Sequence, residues 1–382
     1  MAYKVPFVDY ARQYRTYEEE IIGAIKKVLS KGDLILREEV KHFEQNIADY
    51  LGVRYAVGLN SGTDAIYLSL LTTGIKPGDE VITVAHTFVA TVADIAHCGA
   101  TPILVDIGDD HVMNADLVEG AITPRTKAIM PVHLNGRACN MEKLMKIASE
   151  HNLLVIEDAA QALGATFNDK KAGSFGVTGC FSFYPAKCLG SFGDAGIVVT
   201  NSEEIAEKAR LYRNHGQQTK NEIVLFGFNS RLDNLQAAIL NVKFKYLLGW
   251  IERRREVASM YQQGLSDLPY LRLPPPPQSG GRYFDTYQNY VTRAENRDKL
   301  AAYLSESGIE TLILWAKPIH RQKALNLSHF HLPMTEQLAK EVLSLPMNTE
   351  LSNEQVEFVI GSIRNFYKRW GSGADRCGLY DS

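Results

Sequence analysis

Short apolar runs alternate with helical segments along the chain from about residue 54 onward. The runs read RYAVGLN, DEVITVA, TPILVDI, KAIMPVHL, LLVIEDAA, GCFSFYP and GIVVTN, and several are continuously apolar between Gly, Asp or Pro. Strands that are covered on both faces have this unbroken apolar pattern. The alternation therefore predicts a doubly wound α/β domain with a mostly parallel sheet.

Outside these runs, the pattern predicts helices and one boundary. Residues 36–50 carry apolar residues at helical spacing with charged residues between them, and residues 232–265 are rich in helical patterns. The segment LPPPPQSGG at 273–281 has the composition of a loop. Residues 282–368 mix strand and helix patterns, which indicates a smaller α+β domain at the C-terminal end.

We therefore expect two domains. Residues 1–250, which include an N-terminal helical segment, form the large domain, and residues 251–382 form the small C-terminal domain. The last twelve residues, GSGADRCGLYDS at 371–382, read as a flexible tail.

Composition and charge exclude several classes of protein. Of the 382 residues 45% are hydrophobic and 22% are charged, and the formal net charge is −3, without the basic stripe of a protein that binds nucleic acid or anionic membranes. We find no apolar leader and no run of about 18 apolar residues. The five scattered cysteines have no CxxC pair, which argues against a disulfide framework and a zinc site. We expect a cytoplasmic protein without a metal.

The pattern GxxGxxG occurs twice, at 173–179 and at 190–196. A dinucleotide-binding fingerprint follows a strand and opens a helix, because the helix N-terminus holds the pyrophosphate. Both matches run into an apolar strand instead. We interpret them as glycine turns between strands.

Three other segments carry candidate chemistry. In NSGTDAIYLSLL at 60–71, Ser61 or Thr63 can cap a helix and Gly62 lets the backbone approach a ligand. A helix N-terminus of this kind suits a phosphate, although an ordinary N-cap explains the residues as well.

The second segment, LLVIEDAAQALGA at 153–165, places Asp158 at the carboxyl end of a strand. Ligands bind at this edge of open α/β sheets. An acid there can hold a metal, a ribose hydroxyl or a protonated ring nitrogen, and it can also cap the next helix. No acidic or histidine cluster lies nearby in sequence, which makes a metal the weaker interpretation.

The third segment, FSFYPAKCLGSFGDAG at 181–196, places Lys187 after another apolar strand, near the same edge. A lysine that reaches solvent from a strand end would not explain Pro185 before it and the glycine turn after it. A phosphate site, an acid and a lysine at one edge together fit pyridoxal 5′-phosphate. The lysine forms a Schiff base with its aldehyde, the acid keeps its ring nitrogen protonated, and the helix N-terminus binds its phosphate.

From VPFVDYARQY to about residue 368, the chain resembles the DegT/DnrJ/EryC1/StrS family of sugar aminotransferases. The most specific matches are SGTDA, HTFVAT, VIEDAAQALGA, SFYPAKCLGSFGDAG, GFNSRLDNLQAAIL and LSLPM, in order and spacing. The resemblance implies the α/β fold of type I enzymes that depend on pyridoxal phosphate. In that fold, a large domain with a mostly parallel seven-stranded sheet flanked by helices is joined to a smaller α+β domain.

The resemblance also implies roles for individual residues. Lys187 is the Schiff-base lysine and proton shuttle, and Asp158 pairs with the ring nitrogen. The implied cofactor contacts are Gly62, Thr63 and Ser182 at the phosphate, Phe88 stacked on the ring, Gln161 at the ring oxygen, and Asn229 from a neighbouring subunit. The last of these implies a homodimer with shared active sites. The implied substrate contacts are Arg37, Arg231, Trp315 and His320.

We expect a ping-pong transfer of an amino group from L-glutamate, which leaves as 2-oxoglutarate, to a nucleotide-linked keto-sugar. Lys187 argues for transamination, because relatives that act as dehydratases have histidine there. Asp64 in SGTDA favours C3 of a 3-keto-(6-deoxy)hexose over C4. A C4 keto-sugar, a free keto-cyclitol and a regulator without catalysis remain alternatives.

The chain departs from its relatives near the expected sugar site. Arg37 and Glu38 stand where many relatives have Gly-Pro, and Leu314 and Trp315 stand where many have His-Tyr. Arg37 either contacts an acidic sugar or a diphosphate, or it is a surface residue. The sugar and the nucleotide therefore stay open.

Overall fold

The computed structural model describes residues 3–278 and 280–371. The expected flexible tail lies outside the described residues from residue 372 onward. The helices are α1 (Tyr10–Lys31), α2 (Glu38–Leu51), α3 (Gly62–Thr72), α4 (Val89–His97), α5 (Met141–Glu150), α6 (Glu203–Arg213), α7 (Asn234–Phe244), α8 (Leu247–Leu265), α9 (Arg297–Glu306), α10 (Pro333–Glu341) and α11 (Asn353–Gly371). The strands are β1 (Tyr55–Leu59), β2 (Glu80–Val84), β3 (Thr101–Val105), β4 (Thr126–Ile129), β5 (Leu154–Asp158), β6 (Thr166–Phe167), β7 (Lys170–Lys171), β8 (Thr178–Ser182), β9 (Gly196–Thr200), β10 (Gln217–Thr219), β11 (Glu222–Ile223), β12 (Leu271–Arg272), β13 (Tyr283–Phe284), β14 (Tyr290–Ala294) and β15 (Val342–Leu345).

The predicted α/β sheet is confirmed. Seven strands join in the order β1-β9-β8-β5-β4-β2-β3, and each overlaps one of the seven apolar runs. The pairs β2–β3, β2–β4, β4–β5 and β5–β8 are parallel, whereas β9 is antiparallel to both of its neighbours. Both glycine patterns lead into strands, β8 and β9, as predicted.

Helices cover both faces of this sheet. In β5, Val155 packs in one core with Leu144 of α5, and the next residue, Ile156, packs in another core with Ile66 of α3. Successive residues of a strand point to opposite faces, so a strand buried on both sides must be apolar throughout. This is the physical reason for the unbroken apolar runs.

The C-terminal part has its own antiparallel sheet, β12-β14-β15, which packs with α8, α9 and α11. Helix α8 belongs to two cores. Its first turns place Trp250 and Ile251 beside α2 and α7, and its later turns place Val257 and Tyr261 in the C-terminal core. The proposed division after residue 250 falls inside this helix.

The N-terminal residues lie against the C-terminal part. The backbone N–H of Val5 donates to Gly308 O at 3.0 Å, and that of Phe7 donates to a carboxylate oxygen of Glu310 at 2.8 Å. These hydrogen bonds join the start of the chain to the segment that follows α9. None of the described helices is long and apolar enough to cross a membrane.

Candidate active site

Two adjoining cavities lie at the carboxyl ends of the sheet strands. The inner cavity, about 510 Å³, is lined by residues that include Gly62, Thr91, Asp158, Gln161, Ser182 and Lys187. The outer cavity, about 500 Å³, is lined by residues that include Phe7, Tyr10, Gln288, Leu314, Trp315 and Met347. The cavities share four lining residues, Phe88, Gln161, Tyr184 and Lys187.

The N-terminus of α3 forms one wall of the inner cavity. Ser61 caps this helix, since its hydroxyl accepts a hydrogen bond from the N–H of Asp64 at 3.0 Å. A side chain on Gly62 would bring its Cβ within 2.6 Å of the Ser182 Cβ, so only glycine fits between α3 and the end of β8. The first N–H groups of a helix have no partner within it, and those of Gly62 and Thr63 border this cavity. The wall can therefore donate hydrogen bonds to an anion.

Asp158 ends β5 as a buried acid. One carboxylate oxygen accepts from the Thr91 hydroxyl at 2.7 Å, and the other accepts from the N–H of Ala160 at 3.2 Å. Burial raises the pKa of this carboxyl, while the two hydrogen bonds and the nearby Lys187 oppose that rise. A cationic group in the cavity would stabilise the ionised form of Asp158.

Lys187 lies in the turn that follows β8, and its side chain lines both cavities. Its backbone N–H donates to Tyr184 O at 2.9 Å. Among residues 3–278 and 280–371, its amine has no hydrogen-bond or ion-pair partner within the usual distances. Burial lowers the pKa of the amine, and the charge of Asp158 offsets this only in part. The result is an amine that loses its proton more readily than an exposed lysine does.

The remaining predicted cofactor contacts of the large sheet lie around the same cavity. The side-chain oxygen of Gln161 accepts from the N–H of Asn135 at 3.0 Å and from the amide of Asn289 at 3.3 Å, which fixes its orientation. Phe88 precedes α4 and is 60% exposed at the junction of the two cavities. Ser182 is the last residue of β8. The structure thus brings these side chains together with Lys187 and Asp158.

Four predicted residues do not border either cavity of the chain. Arg37 lies on the surface with its Nε 3.6 Å from Asp33, and Asn229 is exposed. Arg231 donates to the side chain of Asn214 at 3.1 Å. His320 is fully buried, and its Nε2 lies 3.1 Å from Glu336. Contact between any of these residues and a ligand would require a second copy of the chain or a different arrangement of loops.

Some residues of the site were missed by the sequence reasoning. Thr91 lies one helical turn after Phe88, within the motif HTFVAT, and this spacing could have indicated it. His133, which lines the inner cavity, forms a fully buried pair with Glu157 at 2.8 Å. Glu157 also accepts from three backbone N–H groups, those of residues 173, 175 and 176. A charged residue within an apolar strand was the available signal for it.

The fold and the site define an α/β protein whose sheet edge places a lysine, an acid and a helix N-terminus around one cavity. The sequence matches the DegT/DnrJ/EryC1/StrS aminotransferase family over residues 15–364, and the chain belongs to this family. Enzymes of the family depend on pyridoxal 5′-phosphate. The inner cavity fits that cofactor, because it offers N–H donors for a phosphate, a buried acid for a basic nitrogen and an unpaired amine for an aldehyde.

Individual relatives match over nearly their whole length. A Geobacillus stearothermophilus protein named pleiotropic regulatory protein is 43% identical over 371 residues, covering 96% of this chain and 99% of that protein. The UDP-N-acetyl-3-dehydro-α-D-glucosamine 3-aminotransferase of Acidithiobacillus ferrooxidans is 42% identical and covers 94% and 97%. The crystal structure of S. venezuelae DesV with a ketimine intermediate superposes with a TM-score of 0.93, at 39% identity, and covers 97% and 100%.

Proposed function

We propose that this chain transfers the amino group of L-glutamate to C3 of a nucleotide-linked 3-keto-hexose in two half-reactions. The observation that carries the proposal is the meeting of Lys187, Asp158 and the N-terminus of α3 in one cavity that opens into a second. The printed name of the A. ferrooxidans relative, a 3-aminotransferase, supports C3. The segment SGTDA, which contains Asp64, resembles the corresponding segment of relatives that aminate C3 and supports the same position.

Each residue of the inner cavity has a separate task in this proposal. Bound pyridoxal phosphate supplies an electron sink for the carbon that loses its proton. The N–H groups of Gly62 and Thr63, with Ser182, hold the phosphate, and Asp158 holds the ring nitrogen in its protonated form. Gln161 and Phe88 orient the ring through its oxygen and its face.

Lys187 moves the proton. Its Nζ must be neutral to accept a proton from the donor carbon and to deliver it again. Burial lowers its pKa, which increases the neutral fraction near neutral pH. Lys187 borders both cavities, and we place the sugar in the outer one.

The outer cavity suits a sugar nucleotide. Tyr10 and Trp315 supply aromatic faces, and Asn289 supplies an amide. Sugar rings present both apolar faces and hydroxyl groups, so this mixture fits them. We keep Arg37 and Arg231 as proposed substrate contacts that depend on the assembled enzyme, and His320 as one that depends on a different arrangement of the loops around it.

We also propose a homodimer. Large apolar side chains are exposed, with Phe88 at 60% and Tyr184 at 52% at the cavities and Phe226 at 97% in the segment after β11. Exposed apolar groups of this kind mark interaction surfaces. In this proposal, Asn229 reaches the cofactor phosphate of the other subunit.

Mixing two inactive variants tests the shared sites. Lys187→Met and Asn229→Ala are purified separately, mixed, dissociated and reassembled. If Asn229 acts across the interface, each mixed dimer has one intact site, and about a quarter of wild-type activity returns. If no activity returns although mixed dimers form, the two residues act within one subunit.

The function itself is tested in two steps. L-Glutamate alone should convert the cofactor to its aminated form and release 2-oxoglutarate, as ping-pong kinetics require. The aminated enzyme is then offered UDP-, TDP- and GDP-linked 3-keto-sugars, a 4-keto-sugar and a free keto-cyclitol. Consumption of a nucleotide-linked 3-keto-sugar alone supports the proposal, and preference for either other class overturns the C3 assignment.

The regulator is the second candidate, favoured by the name of the G. stearothermophilus relative. A regulator requires no proton shuttle, yet Lys187 and Asp158 are both present. If the protein binds the cofactor but glutamate releases no 2-oxoglutarate, and no other amino donor reacts, the regulator becomes the better interpretation.

A further inference from the structure

The side chain of Gln288 bridges the backbone on the two sides of Lys187. Its Nε2 donates to the carbonyl oxygen of Ala186 at 2.8 Å. Its Oε1 accepts from the N–H of Cys188 at 2.7 Å. Gln288 is only 7% exposed, so water does not readily replace these bonds. A single amide thus contacts both peptide groups that flank the lysine.

Gln288 is itself held firmly. It lies two residues before β14, in the C-terminal part of the chain. Arg254 of α8 donates to the carbonyl oxygens of Tyr287, Gln288 and Met347 at 3.1, 3.2 and 2.7 Å, respectively. Since Arg254 is buried, the bonds to Tyr287 and Gln288 fix the backbone from which the Gln288 side chain extends, and the third bond ties this backbone to Met347.

The next residue, Asn289, contacts a second part of the site. Its side-chain nitrogen lies 3.3 Å from the side-chain oxygen of Gln161. Two consecutive residues therefore join the C-terminal part to the lysine turn and to the proposed ring contact. Nothing in the local sequence around Lys187 indicates this connection, because Gln288 is about a hundred residues away.

The two ends of the lysine turn have other supports. Ser191 donates its N–H to Phe183 O at 2.8 Å, and Lys243 donates from its buried amine to Gly190 O. Between them, the N–H of Tyr184 donates to the Ser182 hydroxyl at 3.3 Å and the N–H of Lys187 donates to Tyr184 O at 2.9 Å. Gln288 supplies the bonds to the other polar groups beside the lysine, the carbonyl of Ala186 and the N–H of Cys188.

We propose that Gln288 is a positioning residue for Lys187. Its amide fixes the two peptide planes beside the lysine, and it thereby aims the Lys187 side chain at the reacting carbon. Through Arg254, the same amide links the C-terminal part of the outer cavity to the lysine. The inference rests on the proposed function of Lys187, but the two can fail separately.

The test replaces the amide by a side chain of similar length that forms no hydrogen bonds, in Gln288→Met. Without an acceptor, the buried N–H of Cys188 loses its protection. We expect faster amide hydrogen exchange in residues 186–190 of the cofactor-free protein. In the loaded enzyme, we expect the single-turnover rate with L-glutamate to fall by about 10- to 100-fold, because small misplacements of reacting groups have effects of this size.

Gln262→Met is the matched control. Gln262 is also partly buried, and it accepts a hydrogen bond from the Tyr290 hydroxyl at 3.2 Å, away from the lysine turn. We expect a comparable loss of thermal stability without a change in exchange at 186–190 or in the glutamate rate. If Gln288→Met does not fold, Gln288→Glu serves instead, since it keeps the acceptor for Cys188 and lacks the donor for Ala186. An intermediate loss of rate is then expected.

The outcomes separate the two proposals. If the wild type does not react with any amino donor, the proposed function fails, and the exchange data still show whether Gln288 holds the turn. If the wild type reacts and Gln288→Met matches it in both exchange and rate, the positioning proposal is wrong. A rate that falls equally in Gln288→Met and Gln262→Met would also overturn it, since the effect would then be one of stability alone.

Discussion

The inner and outer cavities have the same size but different origins. Inner-cavity residues follow strands of one mostly parallel sheet: α3 after β1, Asp158 at the end of β5, and Lys187 after β8. The outer cavity shares four residues with the inner one, and its other residues come mainly from the N-terminus, the segment after α9 and the ends of the small sheet. The carboxyl edge of a parallel sheet gathers residues by rule, whereas the outer cavity depends on how separate segments pack. We therefore expect substitutions in the outer cavity to change the choice of sugar without changing the reaction of the cofactor.

The largest effect is expected for Lys187→Met, which removes the amine from the junction of the cavities. No other described side chain at that point can both react with an aldehyde and move the proton. We expect amino transfer to fall on the order of 10⁴-fold. The rate of 2-oxoglutarate release measures this, and Lys245→Met, at an exposed lysine, is the control. More than a tenth of the wild-type rate in Lys187→Met would show that another group moves the proton.

Asp158→Asn tests whether Asp158 takes part in catalysis or only stabilises the fold. The amide keeps the shape but loses the charge, so we expect the glutamate half-reaction to slow by about 10²- to 10³-fold. The matched control is Asp106→Asn, because Asp106 follows β3 and accepts hydrogen bonds from the N–H groups of Met334 and Thr335 at the start of α10. That variant should lower the melting temperature and leave the half-reaction unchanged. Equal slowing in both variants would contradict the proposed role of Asp158 at the ring nitrogen.

Trp315→Ala tests whether the two cavities have separate functions. Trp315 lines only the outer cavity. Loss of one aromatic contact should raise KM for the keto-sugar by about 10-fold, with the glutamate half-reaction within about twofold of wild type. Steady-state kinetics with the sugar and single-turnover kinetics with glutamate separate the two effects. A selective loss of the glutamate reaction would show that Trp315 acts at the inner cavity, which contradicts its assignment to the sugar.

The smallest effect on catalysis is expected for His86→Phe, which changes the pH dependence of stability. Burial lowers the pKa of His86 to about 3, with a smaller contribution from His111, from its ordinary 6.5. As pH falls below 6.5, the unfolded chain binds a proton at His86 that the folded chain does not, so stability is lost. His86→Phe should reduce the loss of unfolding free energy between about pH 7.5 and about pH 5. The exposed His329→Phe is the control, and an unchanged pH dependence in His86→Phe would contradict the account.

Much of the fold follows from local pattern. Strands buried on both faces need continuous apolar runs, which several of the seven have, and all seven runs match strands of the sheet. The ends of two apolar runs indicated Asp158 and Lys187, and Pro185 and the glycine turn around the lysine supported its assignment. The helix predicted over 36–50 is α2, which begins at Glu38 and ends at Leu51.

Other missed features depend on distant contacts. Gln288 meets the lysine turn across about a hundred residues, and no period or spacing encodes that meeting. His320 shows the opposite case. It stands in a motif region expected to meet the sugar, yet its ring is buried and bonded to Glu336 of α10, sixteen residues later. Local sequence identifies the chemistry of a side chain more readily than the direction in which it lies.

One measurement tests the central claim most directly. The purified protein is loaded with pyridoxal 5′-phosphate, reduced with borohydride to fix any bond between the cofactor and an amine, digested, and analysed by mass spectrometry. We expect the added mass on the peptide that contains Lys187, and no added mass when L-glutamate has displaced the lysine before reduction. Attachment at the buried Lys243 or at another lysine, or no attachment at all, would contradict the assignment of the inner cavity.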